Sequence, residues 1–420
     1  MNHFTHRDNT LFCEDVSVVE IARKVGAPFY LYSHATLERH FKAFDTAFEG
    51  MDRLVCYSAK ANSSMAILSL FNNLGSGLDI VSGGELHKGL GAGFDPARIV
   101  YSGVGKRDDE IDYALKSGIL MFNVESMEEL AAINQRAGKL GKKAPISIRV
   151  NPDVDPKTHP YISTGLKKNK FGIDIESAFE GYKIAKDMEN IHVMGIDCHI
   201  GSQLTDAEPF KDALKSLIAL IKKVKEMGVD ISHIDMGGGL GITYDDEAPP
   251  SPAEYAGTLS QALTGLDAKL ILEPGRVIVG NAGILVTKTL YRKKGSVKHF
   301  VIVDAGMNDL LRPSLYGAFH DVKPVTKTGA GTITADIVGP ICETGDFLAT
   351  DREIQHPEQG ELLAVMSAGA YGFSMASNYC ARLKPAEVMV NGDEFYVIRQ
   401  RETYDDLCLR ESVPEFLKKH

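Results

Sequence analysis

The chain has 420 residues, too many for one small core, so two domains are expected. Its composition, 44% hydrophobic and 24% charged, is that of an ordinary globular protein. A formal charge of -10 excludes general attraction to nucleic acid or anionic lipid, so an acidic ligand has to be held by local arginines.

Two β-rich runs near the start, 11–13 and 29–32, are expected to pair with a sheet formed much later in the chain. Short apolar runs then recur over 54–58, 78–81, 99–102, 120–124, 146–150, 193–199, 234–236 and 270–272, with helical patterns between them. Ser126-Met127-Glu128-Glu129 and Ser251-Pro252-Ala253-Glu254 read as capping boxes. Leu214, Leu217, Ile218, Ile221 and Val224 share one face of a helix that ends at Gly228. Eight strands alternating with helices over roughly 250 residues fit an α/β fold of the (β/α)8 TIM barrel type. A doubly wound open sheet would need a glycine-rich turn after its first strand, and Lys60-Ala61-Asn62 is not one.

After about Gly280 the helical spacing disappears. Runs over 284–290, 297–303, 332–337, 362–366, 387–390 and 395–398 predict a mostly antiparallel β-barrel or sandwich. The expected division is a barrel domain at 34–278 and a β domain made from 1–33 with 279–420. No apolar run approaches the ~20 residues that span a bilayer. The opening residues carry no signal-peptide core. Six scattered cysteines without a Cys-x-x-Cys pair suggest reduced thiols in a cytoplasmic protein, with neither a disulfide frame nor a metal site.

Barrels gather their chemistry at the carboxyl ends of the strands. Lys60 closes the first. An ammonium there either snorkels back to water or, partly desolvated, becomes an amine able to condense with an aldehyde. Asp79 lies on the second strand, Arg149-Val150-Asn151-Pro152 ends the fifth, and His199-Ile200-Gly201-Ser202 ends the sixth. Asp235-Met236-Gly237-Gly238-Gly239-Leu240-Gly241 ends the seventh, where barrels place phosphate sites. Residues without Cβ let backbone N–H groups converge on a phosphate, although three glycines can also be a flexible turn. Glu273-Pro274-Gly275-Arg276 ends the eighth. Glu273 needs a positive partner, either Arg276 or the protonated pyridine nitrogen of a cofactor. His199 is either a satisfied core histidine or a plate against an aromatic ring. Lysine, phosphate cradle, acid and flat imidazole together describe a receptor for pyridoxal phosphate.

The motifs Tyr57-Ser58-Ala59-Lys60-Ala61-Asn62-Ser63, His199-Ile200-Gly201-Ser202, Gly237-Gly238-Gly239-Leu240-Gly241 and Glu273-Pro274-Gly275-Arg276 resemble those of the fold-type III pyridoxal-phosphate-dependent decarboxylases. In the second half, the segments 304–316 (Asp304 to Tyr316), 339–346 (Gly339 to Asp346) and Gly369-Ala370-Tyr371-Gly372 are similar to the branch that acts on meso-2,6-diaminopimelate. The resemblance covers essentially the whole chain. It implies pyridoxal 5'-phosphate as cofactor, a homodimer with shared active sites, and catalytic roles for Lys60, His199 and Cys342. Lys60 is then the attachment point, His199 stacks on the ring, and Glu273 pairs with the pyridine nitrogen. Gly237, Gly238 and Gly239 hold the phosphate with Ser202 and Tyr371. Asp79, Pro274, Gly275 and Arg276 complete the implied cofactor contacts. Arg276, Arg312 and Tyr316 would bind the substrate's distal carboxylate, Glu343 its distal amine, and Tyr371 also lines the substrate. Cys342 would deliver a proton from the other subunit, and its flanking Pro340 and Gly345 suggest a loop rather than the buried setting usual for free cysteine.

The implied reaction is decarboxylation at the D centre to give L-lysine, the last step of lysine biosynthesis by that route. Alternatives are a decarboxylase of D-ornithine or D-lysine, and an amino-acid racemase, which lacks the Pro-Ile-Cys-Glu loop. Two small departures from the family pattern are Ser58-Ala59 before Lys60 and the run from Cys380 to Pro385. The long stretch from His159 to Gly172 reads either as an active-site lid or as a solvated basic loop.

Overall fold

The computed structural model describes residues 2–154 and 169–418, so the proposed lid falls outside the described residues except at 169–172. The chain divides into two units, Leu37–Gly280 and Met1–Thr36 with Asn281–His420.

The first unit is built on eight parallel strands: Arg53–Ser58, Gly77–Ile80, Ile99–Tyr101, Met121–Val124, Ala144–Asn151, Ile191–Asp197, His233–Asp235 and Lys269–Leu272. Each pairs with the next, and Leu270 to Leu272 pair with Arg53 to Val55, so the sheet closes into a barrel-like form. These are the eight runs expected from the sequence, shifted by two residues or fewer at their ends. Strands such as Ala144–Asn151 and Met121–Val124 are buried along nearly their whole length because both faces are covered. Ile173–Asp174 adds a short parallel strand beside Ala144–Asn151.

The helices follow their local signals. Ser251 and Glu254 form the full reciprocal cap of Pro252–Leu263. At Met127–Lys139 only half of the box forms. Ser126 Oγ accepts the Glu129 N–H at 3.1 Å, but the Glu129 carboxylate is drawn away to Glu125 N–H and to Lys106 Nζ. A buried cation competes successfully with a backbone donor. Glu208–Glu226 buries Leu214, Leu217, Ile221 and Val224, each contributing on the order of 1.5–3 kcal/mol, and leaves Ile218 half-buried.

The second unit is a mixed, mainly antiparallel sheet. Phe29–Ser33, buried throughout, lies between Gly283–Lys294 and Ala386–Asn391. The sheet continues through His299–Val303, Thr332–Val338 and Phe347–Gln355 on one side and Glu394–Arg399 on the other. Phe29, Leu31, Ile284, Val286, Val388 and Val390 lie in its core. Two expectations need correction. Thr10–Cys13 does not join this sheet as a strand: it forms a small sheet with Phe4–Arg7 and Val16–Ser17, linked by a single bridge from Thr10 to Thr326. Phe347–Gln355 was not foreseen, because Thr350-Asp351-Arg352-Glu353 breaks its apolar alternation. It is an edge strand, where charges are tolerated.

All six cysteines are free, and no helix among the described residues is long and apolar enough to cross a membrane.

Candidate active site

The first strand of the barrel-like unit ends at Ser58, as the run 54–58 suggested, and Lys60, expected to close it, sits instead in the middle of a single 3-10 turn, Ala59–Ala61. The turn is tied down on both sides. Tyr57 Oη donates to Asn62 O at 2.8 Å, and Ser58 N–H donates to Pro274 O at 3.0 Å. Gly275 packs so closely that a Cβ would stand 3.0 Å from Ser58 Cβ and 3.1 Å from Ala61 Cβ. Pro274 and Gly275 thus brace the lysine turn. Lys60 Nζ donates to Asp79 Oδ2 at 2.6 Å, and Ser58 Oγ donates to the same oxygen at 2.6 Å. Asp79 is sealed, whereas a third of the Lys60 side chain is open to solvent, so the amine is held from below and approachable from above.

The glycine cluster is more specialised than a generic cradle. Gly237 N–H is spent on Asp235 Oδ1 at 2.9 Å, and Gly238 N–H on His199 Nδ1 at 3.1 Å. The Gly239 N–H meets no protein acceptor among the described residues. Added Cβ atoms would meet His199 Nδ1 at 2.6 Å from Gly237, Glu273 O at 2.2 Å from Gly238 and Gly201 O at 2.5 Å from Gly239. Since Nδ1 accepts, the imidazole is neutral with its proton on Nε2. Burial, then Arg149 and Lys60, hold its pKa well below the ordinary value. Beside the cluster, Arg276 donates from Nη2 to Ser202 Oγ at 3.0 Å and from Nη1 to Tyr244 Oη at 2.8 Å.

Glu273 is buried, and its partners are neutral. Ser102 Oγ lies 3.2 Å and Asn123 Nδ2 3.3 Å from Oε1, and the same Asn123 nitrogen is 3.2 Å from Asp235 Oδ2. Arg149 is engaged elsewhere, with Glu125 at 2.7 Å and the His199 carbonyl at 3.4 Å.

In the β unit, Arg312 and Tyr316 begin and end the short helix Arg312–Tyr316. Arg312 is buried with Nη1 2.8 Å from His320 Nε2, and His320 Nδ1 is 2.8 Å from Met366 O. Because a carbonyl only accepts, Nδ1 carries the proton and Nε2 faces the guanidinium. The segment 339–346 is anchored by Asp346, whose carboxylate accepts Ile341 N–H and Met307 N–H, each at 2.6 Å. Ser314 Oγ donates to Gly345 O at 2.6 Å, which joins the arginine helix to this loop. Cys342 is exposed next to the anchored Ile341, and Glu343 Oε2 accepts from Tyr379 Oη at 3.5 Å. Tyr371 is half-buried with φ +56°, a left-handed conformation costly for a tyrosine.

Residues 34–280 match the family model described as pyridoxal-dependent decarboxylase, pyridoxal binding domain. The chain is 52% identical over 404 residues to the diaminopimelate decarboxylase of Aquifex aeolicus, covering 96% of each chain. It is 51% identical to that of Haemophilus influenzae, covering 98% of this chain and all of the other. The chain belongs to the pyridoxal-dependent decarboxylase family, in its diaminopimelate decarboxylase branch. Among solved structures, diaminopimelate decarboxylase from M. jannaschii in complex with L-lysine superposes with a TM-score of 0.94 at 39% identity, covering 99% of each chain.

The cofactor of such a decarboxylase is pyridoxal phosphate, and the residues present fit it. Three glycines without room for a Cβ include a half-buried Gly239 whose N–H has no protein acceptor among the described residues, and Ser202 with its Arg276 partner follows the Gly201 carbonyl packed against it, as a phosphate site requires. Lys60 supplies the approachable amine, and Glu273 a buried acid among neutral donors, as a ring nitrogen requires. Family motifs did not single out Ser102, Asn123, Tyr244 or His320. For Asn123 a signal existed: a polar residue inside the otherwise apolar strand Met121–Val124 has to be satisfied from within.

Proposed function

We propose that this chain decarboxylates meso-2,6-diaminopimelate to L-lysine and carbon dioxide, the last step of lysine biosynthesis by that route, in the cytoplasm. The observation that carries the reading is the end-to-end identity of about half with diaminopimelate decarboxylases. The barrel-like unit is read as a (β/α)8 TIM barrel at 34–278, and 1–33 with 279–420 as the β domain.

Bound at Lys60, pyridoxal phosphate would supply an aldehyde that exchanges amines and a protonated ring able to take up the electron pair left behind when carbon dioxide departs. Lys60 would hold the cofactor between turnovers and give way to the substrate amine, and Asp79 is placed to receive the lysine amine once it is freed. His199, kept neutral, would be the plate for the ring. Gly237, Gly238, Gly239, Ser202 and Tyr371 enclose the phosphate, with Arg276 braced on Ser202. Glu273 keeps the ring nitrogen protonated. Arg276, Arg312 and Tyr316 grip the distal carboxylate and Glu343 the distal amine. Cys342 of a second subunit delivers the proton that ends the reaction.

A charged hydrogen bond contributes roughly 1.5–3 kcal/mol. A site built on such contacts rejects an analogue lacking the group by roughly 10⁴-fold. D-lysine and D-ornithine lack the distal carboxylate, so they should be poor substrates. Carbon dioxide release from the three amino acids tests the reading, and preferential turnover of either basic amino acid would overturn it. Shared sites are tested by mixing inactive Lys60→Ala with inactive Cys342→Ala. Partial activity should return, and none after verified subunit exchange would count against the dimer.

A further inference from the structure

Five buried carboxyl groups gather under the open end of the barrel-like unit: Asp79, Glu125, Asp197, Asp235 and Glu273. Among the described residues two cations reach them. Lys60 is taken by Asp79, and Arg149 is taken by Glu125, with Asp197 3.8 Å away. Asp235 and Glu273 are left with neutral partners. The single Asn123 nitrogen lies 3.2 Å from one and 3.3 Å from the other, Ser102 serves Glu273, and the Gly237 N–H serves the far oxygen of Asp235. The shared Asn123 nitrogen holds the two carboxyl groups side by side. No group of acidic, histidine or cysteine side chains among the described residues is arranged to hold a metal ion that would neutralise them. Two carboxylates so placed in a buried interior cannot both ionise.

We infer that Asp235 and Glu273 are a proton-sharing carboxyl pair, in which Asp235 keeps the proton while Glu273 faces the cofactor's ring nitrogen. The second clause rests on the proposed function; the sharing itself does not. The proton passes only between the carboxyl oxygens of the pair, so nothing is gained or lost. Burial first, then Asp197, pushes Asp235 upward, and burial first, then Asp235, pushes Glu273 upward. The surroundings do not reverse this. Asp197 and Cys198 face the pair from the sixth strand, Cys56 from the first and Tyr255 from the helix Pro252–Leu263. Each of these is neutral or acidic, and Asp79 adds a further acidic neighbour to Glu273; the two cations that act on Glu273, Lys60 and Arg149, are shared with Asp79 and Glu125 respectively.

Asp235 is on this view a positioning residue with two ends. One oxygen fixes the first glycine of the phosphate cradle, and the other, protonated, donates to Glu273. The carboxyl pair then carries a single negative charge, which a single ring proton matches.

The test is infrared spectroscopy at neutral pH on protein carrying 13C-labelled aspartate, with and without pyridoxal phosphate. In the loaded enzyme the wild type should show a protonated aspartate carbonyl band that Asp235→Asn lacks. In the unloaded protein the double variant Asp235→Asn with Glu273→Gln should lose one protonated carboxyl band relative to wild type. Asp235→Asn should keep the cofactor, since an amide oxygen still accepts from Gly237. Asp235→Leu, which can neither accept nor donate, should bind it at least tenfold more weakly. An unchanged band in loaded Asp235→Asn, or no band lost in the unloaded double variant, overturns the inference. Failure of the wild type to bind pyridoxal phosphate would sink the proposed function instead, and the unloaded spectra would then decide the pair alone.

Discussion

Lys60 Nζ and Asp79 Oδ2 stand 2.6 Å apart at the ends of adjacent strands, and the carboxylate is the sealed member of the pair. Lys60→Ala should therefore abolish both turnover and the visible absorption of covalently held cofactor. Asp79→Ala should keep the cofactor but lose a charge-assisted contact of roughly 1.5–3 kcal/mol, slowing carbon dioxide release about 10–100-fold. Turnover at the wild-type rate in Asp79→Ala would show the contact to be idle.

Gly238→Ala drives a Cβ to 2.2 Å from the Glu273 carbonyl, a backbone atom that cannot swing aside. The strain should cost about 1–3 kcal/mol of stability and remove cofactor affinity from whatever still folds. Gly257→Ala is the control. Its Cβ meets nothing within 4 Å on the helix Pro252–Leu263, so it should stabilise by roughly 0.5–1 kcal/mol. Thermal melts and a pyridoxal phosphate titration read both.

His199 sets a pH dependence whose sign can be worked out. Its folded pKa lies well below the ordinary 6.5, so the folded chain stays neutral where the unfolded chain begins to protonate. As pH falls below about 6.5 the unfolded state binds a proton that the folded state does not, and stability drops. Above that value this contribution is constant. In the cofactor-free protein, His199→Asn should flatten the slope of melting temperature against pH between about pH 7 and 5. Parallel slopes would contradict the buried, neutral assignment.

Arg312 and His320 offer a test away from the glycines. Arg312→Lys cannot reproduce a planar fork, and kcat/KM should fall roughly 10–100-fold, mainly through KM. His320→Ala leaves the guanidinium charged but unsteadied, and the loss should be smaller and in the same direction. Steady-state kinetics with meso-2,6-diaminopimelate distinguishes them. A change confined to kcat in either variant would mean that Arg312 does not grip the substrate.

The barrel-like unit was legible because its strands are short, buried and mostly apolar runs and its helices carry local caps, so periodicity and punctuation agree. The charged edge strand Phe347–Gln355 and the small sheet around Thr10–Cys13 were not, since partner choice there depends on residues far along the chain. Lys60, Glu273 and the glycines stood out by their position at strand ends. Which N–H of the glycines remains available did not, because it depends on His199 and Asp235 arriving from other strands. Nor could spacing alone pair Arg312 with His320, whose ring is oriented by the Met366 carbonyl.

Phe29–Ser33 is among the first strands to be synthesised, yet both of its neighbours, Gly283–Lys294 and Ala386–Asn391, come much later. At about 5–20 residues per second, a ribosome takes on the order of tens of seconds to deliver the second of them. Both edges of the strand stay bare until Gly283–Lys294 has been made and one edge stays bare until Ala386–Asn391 arrives, whereas the parallel sheet of the first unit has all its own strands once Leu272 is made. Premature termination before Ala386 would leave that strand permanently half-partnered. Such fragments should be recovered as aggregate or chaperone-bound chain rather than as a shortened enzyme.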